Sequence, residues 1–172
     1  MIQKSTDDIT NSSANVIVNT VNCVGVMGGG VALAIKEKFP WCLAPYKDAC
    51  NSEILKPGGI FVVEINVEPE MEYPVIVNLA TKDHWRGKSR IEWVDKGLEK
   101  LARYIRENKI PSISIPRPGC GHGGLRWSDV ELLVKKHLGK LDCDITIHHR
   151  ENTDSEPKGA ESIQTTLPFE EE

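Results

Sequence analysis

The amino-acid sequence predicts an α/β layer sandwich with a mainly parallel sheet. Short segments rich in β-branched residues alternate with segments in which apolar residues recur at helical spacing, as expected of strands joined by helices. The apolar runs at residues 16–18 and 75–77 show no polar alternation, which is typical of strands buried on both faces. A length of 172 residues fits one such domain followed by a short tail.

Three helices and six strands are predicted. Apolar residues recur at helical spacing over residues 90–108 and 128–138, and a further helix follows a glycine-rich segment at residues 31–38. Ser89 and Ser128 are the predicted N-caps of the helices at residues 90–108 and 128–138, because each serine is followed three residues later by a glutamate in a capping-box arrangement. The predicted strands are residues 1–4, 15–22, 60–67, 74–81, 112–116 and 143–148.

Composition excludes several classes of protein. Hydrophobic residues make up 40% and charged residues 27% of the chain, which is typical of a globular protein. No apolar run approaches the roughly 20 residues that a membrane span needs, and the N-terminus has no signal-peptide pattern, so we expect a cytoplasmic protein. The five cysteines are scattered and never spaced as C-x-x-C, so we expect no disulfide framework, no metal site and no cofactor.

Charge is distributed unevenly along the chain. Residues 151–172 carry seven acids and one base, a net charge of −6, whereas the first 150 residues carry 18 acids and 20 bases, a net charge of +2. The acidic segment has no apolar periodicity, so we predict a disordered tail after residue 150. The small positive charge of the first 150 residues is compatible with a polyanionic partner but does not require one.

Two glycine-rich segments follow predicted strands, and each leads to a helix. Glycines let backbone amides approach an anion, and a helix N-terminus adds partial positive charge, so the pair predicts a clamp for a diphosphate. Glycines that only form tight turns are the alternative for either segment alone. Neither segment matches a P-loop or a dinucleotide-binding fingerprint. The clamp residues are Gly28, Gly29, Gly30 and Val31 in the first glycine segment, and Pro118, Gly119, Cys120, Gly121, His122 and Gly123 in the second glycine segment.

Polar side chains and an amine lie at the predicted ends of two strands. Asn19, Thr20 and Asn22 are predicted to face sugar hydroxyls, because an amide both donates and accepts hydrogen bonds; capping of a local turn is the alternative. Lys82 follows another strand, where an amine with a lowered pKa is positioned to attack a sugar C1″ atom through a Schiff base. A solvated surface lysine is the alternative at that position.

A basic and aromatic stretch follows Lys82. His84, Trp85, Arg86 and Lys88 are the candidate nucleic-acid contacts, since basic groups hold phosphates while an aromatic face stacks on a base. An ordinary charged loop is the alternative for this stretch.

These motifs resemble those of the macrodomain family. The similarity rests on Ala-Asn-Val-Ile-Val-Asn-Thr-Val-Asn at residues 14–22, Gly-Gly-Gly-Val-Ala at residues 28–32, Thr-Lys-Asp-His-Trp-Arg-Gly-Lys-Ser at residues 81–89 and Gly-Cys-Gly-His-Gly-Gly-Leu-Arg-Trp at residues 119–127. The resemblance covers residues 1–150, which we expect to form the macrodomain. It is closest to the DarG-type antitoxin macrodomains, which reverse ADP-ribosylation of thymidine in single-stranded DNA.

The resemblance implies a fold and a set of roles. The fold would be a three-layer sandwich in which a mixed six-stranded sheet is flanked by helices. Asp8 would contact the adenine amino group with Ile9 beside it, Asn22 would face the distal ribose, and Lys82 would be the catalytic lysine. Related glycohydrolases also use an aspartate in the second glycine segment, whereas Gly123 stands at the matching position here, so no general acid is assigned.

On this resemblance we expect an ADP-ribosyl glycohydrolase that removes ADP-ribose from thymidine in single-stranded DNA. The alternatives are an ADP-ribose 1″-phosphate phosphatase, a protein de-ADP-ribosylase and a reader that binds ADP-ribose without turnover. The expected partners of this monomer are ADP-ribose and ADP-ribosylated DNA. In the tail, Gln164, Leu167 and Phe169 resemble the motif with which bacterial proteins bind the sliding clamp, and a tail without a partner is the alternative.

Overall fold

A computed structural model describes residues 1–65 and 72–150 of the chain. Within these two ranges, six strands are interspersed with four α-helices and two short 3-10 turns. The strands are β1 (Ile2–Ser5), β2 (Val16–Val21), β3 (Ile60–Val63), β4 (Val75–Ala80), β5 (Ser112–Pro116) and β6 (Asp144–His148). The helices are α1 (Gly30–Lys38), α2 (Leu43–Asn51), α3 (Ile91–Glu107) and α4 (Trp127–Leu138), and the 3-10 turns are Ile9–Asn11 and Pro40–Cys42.

The strands form one mixed sheet in the order β1-β6-β5-β2-β4-β3. Each neighbouring pair is parallel except β3 and β4, which pair antiparallel. The register between β2 and β4 aligns Val16 with Val75 and Val21 with Ala80, so these two strands end side by side. The mainly parallel sheet predicted from the residues is confirmed, and so is the mixed six-stranded sheet implied by the resemblance.

Alternate residues of the central strand β2 point to two separate cores. Val16 and Val18 pack with buried residues of α3 and α4, while Ile17 and Val21 pack with buried residues of α1 and α2. All four side chains are buried. Helices therefore cover both faces of the sheet, which confirms the three-layer sandwich and explains why β2 lacks polar alternation.

Both predicted serine caps are wrong. Arg90 is the N-cap residue of α3 and Arg126 that of α4, and neither makes a capping hydrogen bond through its side chain. Ser128 lies inside the first turn of α4, while Ser89 is buried against Gly123 in the second glycine segment. Spacing along the chain predicted the helices, but contacts with a distant segment decide where Ser89 points.

The sequence did not predict α2, a helix of nine residues with Pro45 in its first turn. Its buried residues Tyr46, Ala49 and Cys50 do follow helical spacing. Because the helix is short, this pattern does not stand out from the surrounding sequence. The neighbouring helix α1 begins at Gly30, one residue before the predicted start.

Several predictions fall outside the described residues. The strand predicted over residues 60–67 ends at Val63, and its last two predicted positions, 66 and 67, are not described. The acidic tail also lies outside the described ranges, and with it the motif formed by Gln164, Leu167 and Phe169. Across the residues that are described, no helix combines the length and the apolar character that crossing a bilayer requires.

Candidate functional site

The carboxyl ends of β2 and β4 lie at one edge of the sheet, and backbone hydrogen bonds join the segments that follow them. Thr81 N donates to Val21 O at 3.0 Å, and Cys23 N donates to Asp83 O at 3.1 Å. The segment after β2 is therefore fastened to the segment that carries Lys82. Ligands of open α/β sheets bind beyond this edge, so it is the candidate site.

Asn22 organises the loop of residues 23–26, which follows β2. Its Oδ1 atom accepts from Val24 N at 3.0 Å and from the Tyr46 hydroxyl at 2.9 Å, while its Nδ2 atom donates to Val26 O at 2.8 Å. The same hydroxyl lies 2.8 Å from Asn22 O. The side chain of Asn22 is buried and holds the loop, and its contact with a ribose stays a prediction.

The loop that Asn22 holds presents two valines at the surface. Val24 and Val26 are 42% and 40% exposed. Gly25 stands between them with a φ angle of +91° and packs against Lys47, a backbone conformation that favours glycine. A Cβ atom placed on Gly28 would lie 3.4 Å from Val26 Cγ1, so this valine borders the first glycine segment.

The first glycine segment leads into α1. Gly29 is the N-cap residue, and Gly30, the first helical residue, has a φ angle of +57°. No side chain caps this end of the helix, and all three glycines from Gly28 onward are exposed, while Val31 is half-buried. Such a helix end offers N–H groups and partial positive charge to an anion.

The second glycine segment is a tight turn between β5 and α4. Leu125 N donates to Gly119 O at 2.9 Å, and Gly119 and Gly124 have φ angles of +75° and +78°. A Cβ atom on Gly123 would collide with Ser89 Oγ and with Gly119 O. This position therefore has no room for a side chain.

His122 brings the two glycine segments together. A Cβ atom placed on Gly30 would lie 3.6 Å from His122 Cδ2, and one placed on Gly29 would lie 3.9 Å from His122 Nε2. Ser89 N donates to Gly123 O at 3.0 Å, which ties the second glycine segment to the stretch after β4. The three segments predicted to carry the chemistry are therefore neighbours in the fold.

Lys82 lies at the end of β4, and its backbone N–H is 3.4 Å from Val21 O. Its side chain is half-buried. Burial lowers the pKa of Lys82, and the nearby positive charge of Lys88 lowers this pKa further. A lower pKa increases the fraction of neutral amine at neutral pH, and the neutral amine is the nucleophilic form.

The stretch after Lys82 presents an aromatic and cationic surface. The Trp85 ring is 46% exposed, stacks on the His84 ring at a centroid distance of 5.2 Å, and has the Arg86 guanidinium carbon 4.5 Å from its centroid. Lys88 reaches the second glycine segment, since a Cβ atom on Gly124 would lie 3.5 Å from its Nζ atom. Contact of these side chains with nucleic acid stays a prediction.

Asp8 and Ile9 lie in the turn that follows β1. Asp8 Oδ1 accepts hydrogen bonds from Thr10 N at 2.9 Å and from the Thr10 hydroxyl at 2.8 Å, and these bonds lower the pKa of Asp8. The ionised carboxylate borders a polar cavity of about 470 Å³ that Ser114 and His148 also line. Ile9 is buried beside it. The adenine contact of this pair stays a prediction.

Asn19 is enclosed in the sheet. Its side chain has no exposed surface, and its Nδ2 atom donates at 3.1 Å to Oδ1 of Asn78, the residue opposite it in β4. This burial gives Asn19 a structural role, and its contact with a sugar stays a prediction. Thr20 is half-buried next to it, and its contact with a sugar stays a prediction.

Sequence reasoning missed several contributors to this site. Tyr46 fixes Asn22 from α2, and nothing in the local sequence of either residue indicates the other. Ser89, a predicted helix cap, packs under the second glycine segment. Val24 and Val26 flank a glycine immediately after a buried strand, and this placement was the available signal that they form a surface turn.

The cysteines are free thiols. Cys42, Cys50 and Cys143 are buried, while Cys23 and Cys120 are half-buried near the glycine segments. Burial raises the pKa of Cys23 to about 12 and that of Cys120 to about 12, so neither thiol is ionised at neutral pH. In the part of the chain that the structure describes, no three His, Cys, Asp or Glu side chains converge as metal ligands would.

Comparison with known proteins places the chain among macrodomains. A DNA ADP-ribosyl glycohydrolase of Mycobacterium tuberculosis is 37% identical over 168 residues, which are 96% of this chain and 47% of that protein. The chain thus spans about half the length of the curated relatives it matches. The solved macrodomain of Mycobacterium tuberculosis DarG superposes with a TM-score of 0.80 at 39% identity, covering 86% of this chain and 97% of that one.

A second solved structure, Thermosipho africanus DarTG in complex with ADP-ribose, superposes with a TM-score of 0.79 at 29% identity. That match covers 86% of this chain and 41% of the other. The Macro domain family matches residues 18–134, a range that contains both glycine segments and Lys82. Since this match takes in most of the chain and agrees with the observed sheet, the chain belongs to the Macro domain family.

Proposed function

We propose that this chain is a hydrolase that removes ADP-ribose from nucleic acid, by cleaving the N-glycosidic bond between the distal ribose and a thymine base in single-stranded DNA. The proposal is carried by one observation. The half-buried amine of Lys82, whose pKa is lowered, lies at the sheet edge where the two glycine segments meet. The relatives named DNA ADP-ribosyl glycohydrolase and the related structure in complex with ADP-ribose support this choice of ligand and reaction.

Backbone groups bind the diphosphate in this proposal. The exposed glycines at the start of α1 offer N–H groups from one side, and the second glycine segment offers them from the other. His122 bridges the two, so the diphosphate lies against both. The ionised Asp8 accepts a hydrogen bond from the adenine amino group, with Ile9 beside it, and Thr20 and Asn22 lie toward the distal ribose.

The neutral amine of Lys82 is the nucleophile. It attacks C1″ of the distal ribose, the bond from C1″ to the base nitrogen breaks, and the electron pair of that bond stays on the nitrogen. The proton that the attacking amine loses goes to the same nitrogen, so the base leaves neutral. The bond from C1″ to the ring oxygen O4″ then breaks as the C1″–N double bond of the Schiff base forms, and the remaining proton of the Lys82 nitrogen moves to O4″. Water adds at C1″, the bond from C1″ to the lysine nitrogen breaks with a proton returning to that nitrogen, and the ring closes, which releases ADP-ribose and restores the amine.

This proton balance fits the second glycine segment. Gly123 leaves no room for the aspartate that related glycohydrolases use, because a side chain there would collide with Ser89 and the backbone. A reaction in which the leaving base takes its proton from the attacking amine needs no separate acid. The attacking amine of Lys82 therefore supplies the proton that a carboxylic acid would otherwise donate to the leaving base.

The stretch after Lys82 holds the nucleic acid. Trp85 is exposed and offers a ring for a base to stack on, next to His84. Arg86 and Lys88 supply positive charge for the phosphates of the strand. This stretch begins two residues beyond the nucleophile, so a base stacked there lies close to the bond that breaks.

A release assay tests the proposal. An oligonucleotide carrying ADP-ribosylated thymidine is incubated with the wild type, with Lys82→Ala and with Lys100→Ala, an exposed lysine of α3 that serves as the control. We expect Lys82→Ala to lose a factor of about 100 or more in the rate of release while it still binds free ADP-ribose, and Lys100→Ala to keep the wild-type rate. Wild-type turnover by Lys82→Ala would refute the mechanism.

Two further substrates separate the alternatives. ADP-ribose 1″-phosphate and a protein ADP-ribosylated on acidic residues are offered to the wild type under the same conditions. Preferential release from either would replace the nucleic-acid substrate. Tight binding of ADP-ribose without release from any of the three would make the chain a reader.

A further inference from the structure

Two exposed valines lie in the loop between β2 and the first glycine segment. Among the described residues, six large hydrophobic side chains are exposed, and Val24 and Val26 are two of them, at 42% and 40%. Both belong to the loop of residues 23–26. An isolated apolar side chain on a surface needs no explanation, but two in one short loop at a ligand site form a contact surface.

The loop holds these valines in fixed positions. Asn22 accepts from Val24 N at 3.0 Å and donates to Val26 O at 2.8 Å, and its own amide is held by the Tyr46 hydroxyl at 2.9 Å. Gly25 supplies the turn between the valines through its positive φ angle. The buried Asn22 therefore fixes the backbone on both sides of that turn, as a preorganised contact surface requires.

The position of the loop places the valines between the amine and the diphosphate clamp. Cys23 N, one residue before Val24, donates to Asp83 O, one residue after Lys82, at 3.1 Å. On the other side, Val26 Cγ1 would lie 3.4 Å from a Cβ atom on Gly28. A base joined to a ribose held between Lys82 and the first glycine segment would therefore lie beside this loop.

We infer that Val24 and Val26 contact the 5-methyl group of the departing thymine and make the enzyme select a methylated pyrimidine over an unmethylated one. The inference rests on the proposed function. The thymine methyl is the one apolar group on the edges of the DNA bases, and apolar side chains are its usual contacts. Two valines at this place are thus matched to the methyl group of thymine. Uracil has a hydrogen atom at that position and would bury no methyl group against them.

The test compares two leaving groups that differ by that methyl. The probes are one oligonucleotide with ADP-ribosylated thymine and the same oligonucleotide with ADP-ribosylated uracil, and kcat/KM for release is measured for each. The variant is Val24→Thr with Val26→Thr, which keeps the side-chain shape and replaces a methyl by a hydroxyl. The matched control is Leu132→Thr, because Leu132 lies on α4 and is 67% exposed.

We expect the wild type and Leu132→Thr to prefer the thymine oligonucleotide roughly fourfold, the factor that burial of one methyl-sized group gives, and the double variant to fall below roughly twofold. Damage to the loop alone would slow both substrates equally and leave the ratio unchanged. An unchanged ratio in the double variant, or no preference in an active wild type, would overturn this inference and leave the proposed function standing. Absence of release from both oligonucleotides by the wild type would overturn the proposed function and the inference with it.

Discussion

Replacing Gly123 with alanine tests how tightly the second glycine segment is built. The new Cβ atom would collide with Ser89 Oγ and with the carbonyl oxygen of Gly119, and a carbonyl oxygen of the backbone has no rotamer through which to move away. Gly123 is not among the glycines with a positive φ angle, so the penalty is steric. Overpacking of this kind costs about 1–3 kcal/mol, and the backbone contact puts this case at the upper end, so we expect a loss of about 3 kcal/mol.

The assay is urea unfolding, with Gly121→Ala as the control. A Cβ atom on Gly121 would have no neighbour within 4 Å, and we expect its free energy of unfolding to change by about 0.5 kcal/mol or less. Gly123→Ala should also weaken binding of ADP-ribose, because the segment must shift to admit the methyl group. If Gly123→Ala unfolded at the same urea concentration as Gly121→Ala, Gly123 would not be packed tightly against Ser89 and the Gly119 carbonyl oxygen.

Three other predictions concern the loop, the amine and the aromatic surface. Tyr46→Phe should lower the free energy of unfolding by about 1–2 kcal/mol, since Asn22 O and Oδ1 lose a buried donor; unchanged urea unfolding would argue against this anchor. The rate of release should rise with pH as Lys82 loses its proton, and Lys88→Gln should move that pH profile upward, because losing a neighbouring positive charge raises the pKa of Lys82. A profile that does not move would contradict this coupling. Trp85→Ala should weaken oligonucleotide binding by about 1–3 kcal/mol, measured by fluorescence anisotropy, and leave the affinity for free ADP-ribose unchanged; equal oligonucleotide affinity would rule out stacking.

The fold was largely predictable, because its signals are local. The apolar run of β2 indicated a strand buried on both faces, and the residues that pack against it from two sides confirm this. That the sheet is mixed was implied only by the resemblance, and which strand runs antiparallel was not predicted, since strand direction depends on which neighbour a strand meets. Helix α2 was not predicted, because the helix is short and Pro45 lies in its first turn, so its apolar periodicity is hard to recognise.

The site was predictable in its segments and less so in its side chains. The two glycine segments and Lys82 do come together, as their positions after strands indicated. Asn19 and Asn22 looked alike in the sequence, yet one is paired with Asn78 inside the sheet and the other holds a loop. What separates them is a contact with residues far along the chain, and local spacing carries no information about such contacts.

The central claim is that the two glycine segments and the end of β4 form one site for ADP-ribose. Isothermal titration of the wild-type chain with free ADP-ribose tests it most directly. We expect saturable heat with one molecule bound per chain, and the same stoichiometry for Lys82→Ala. A titration that gives no heat, together with an unchanged melting temperature at saturating ADP-ribose, would contradict it.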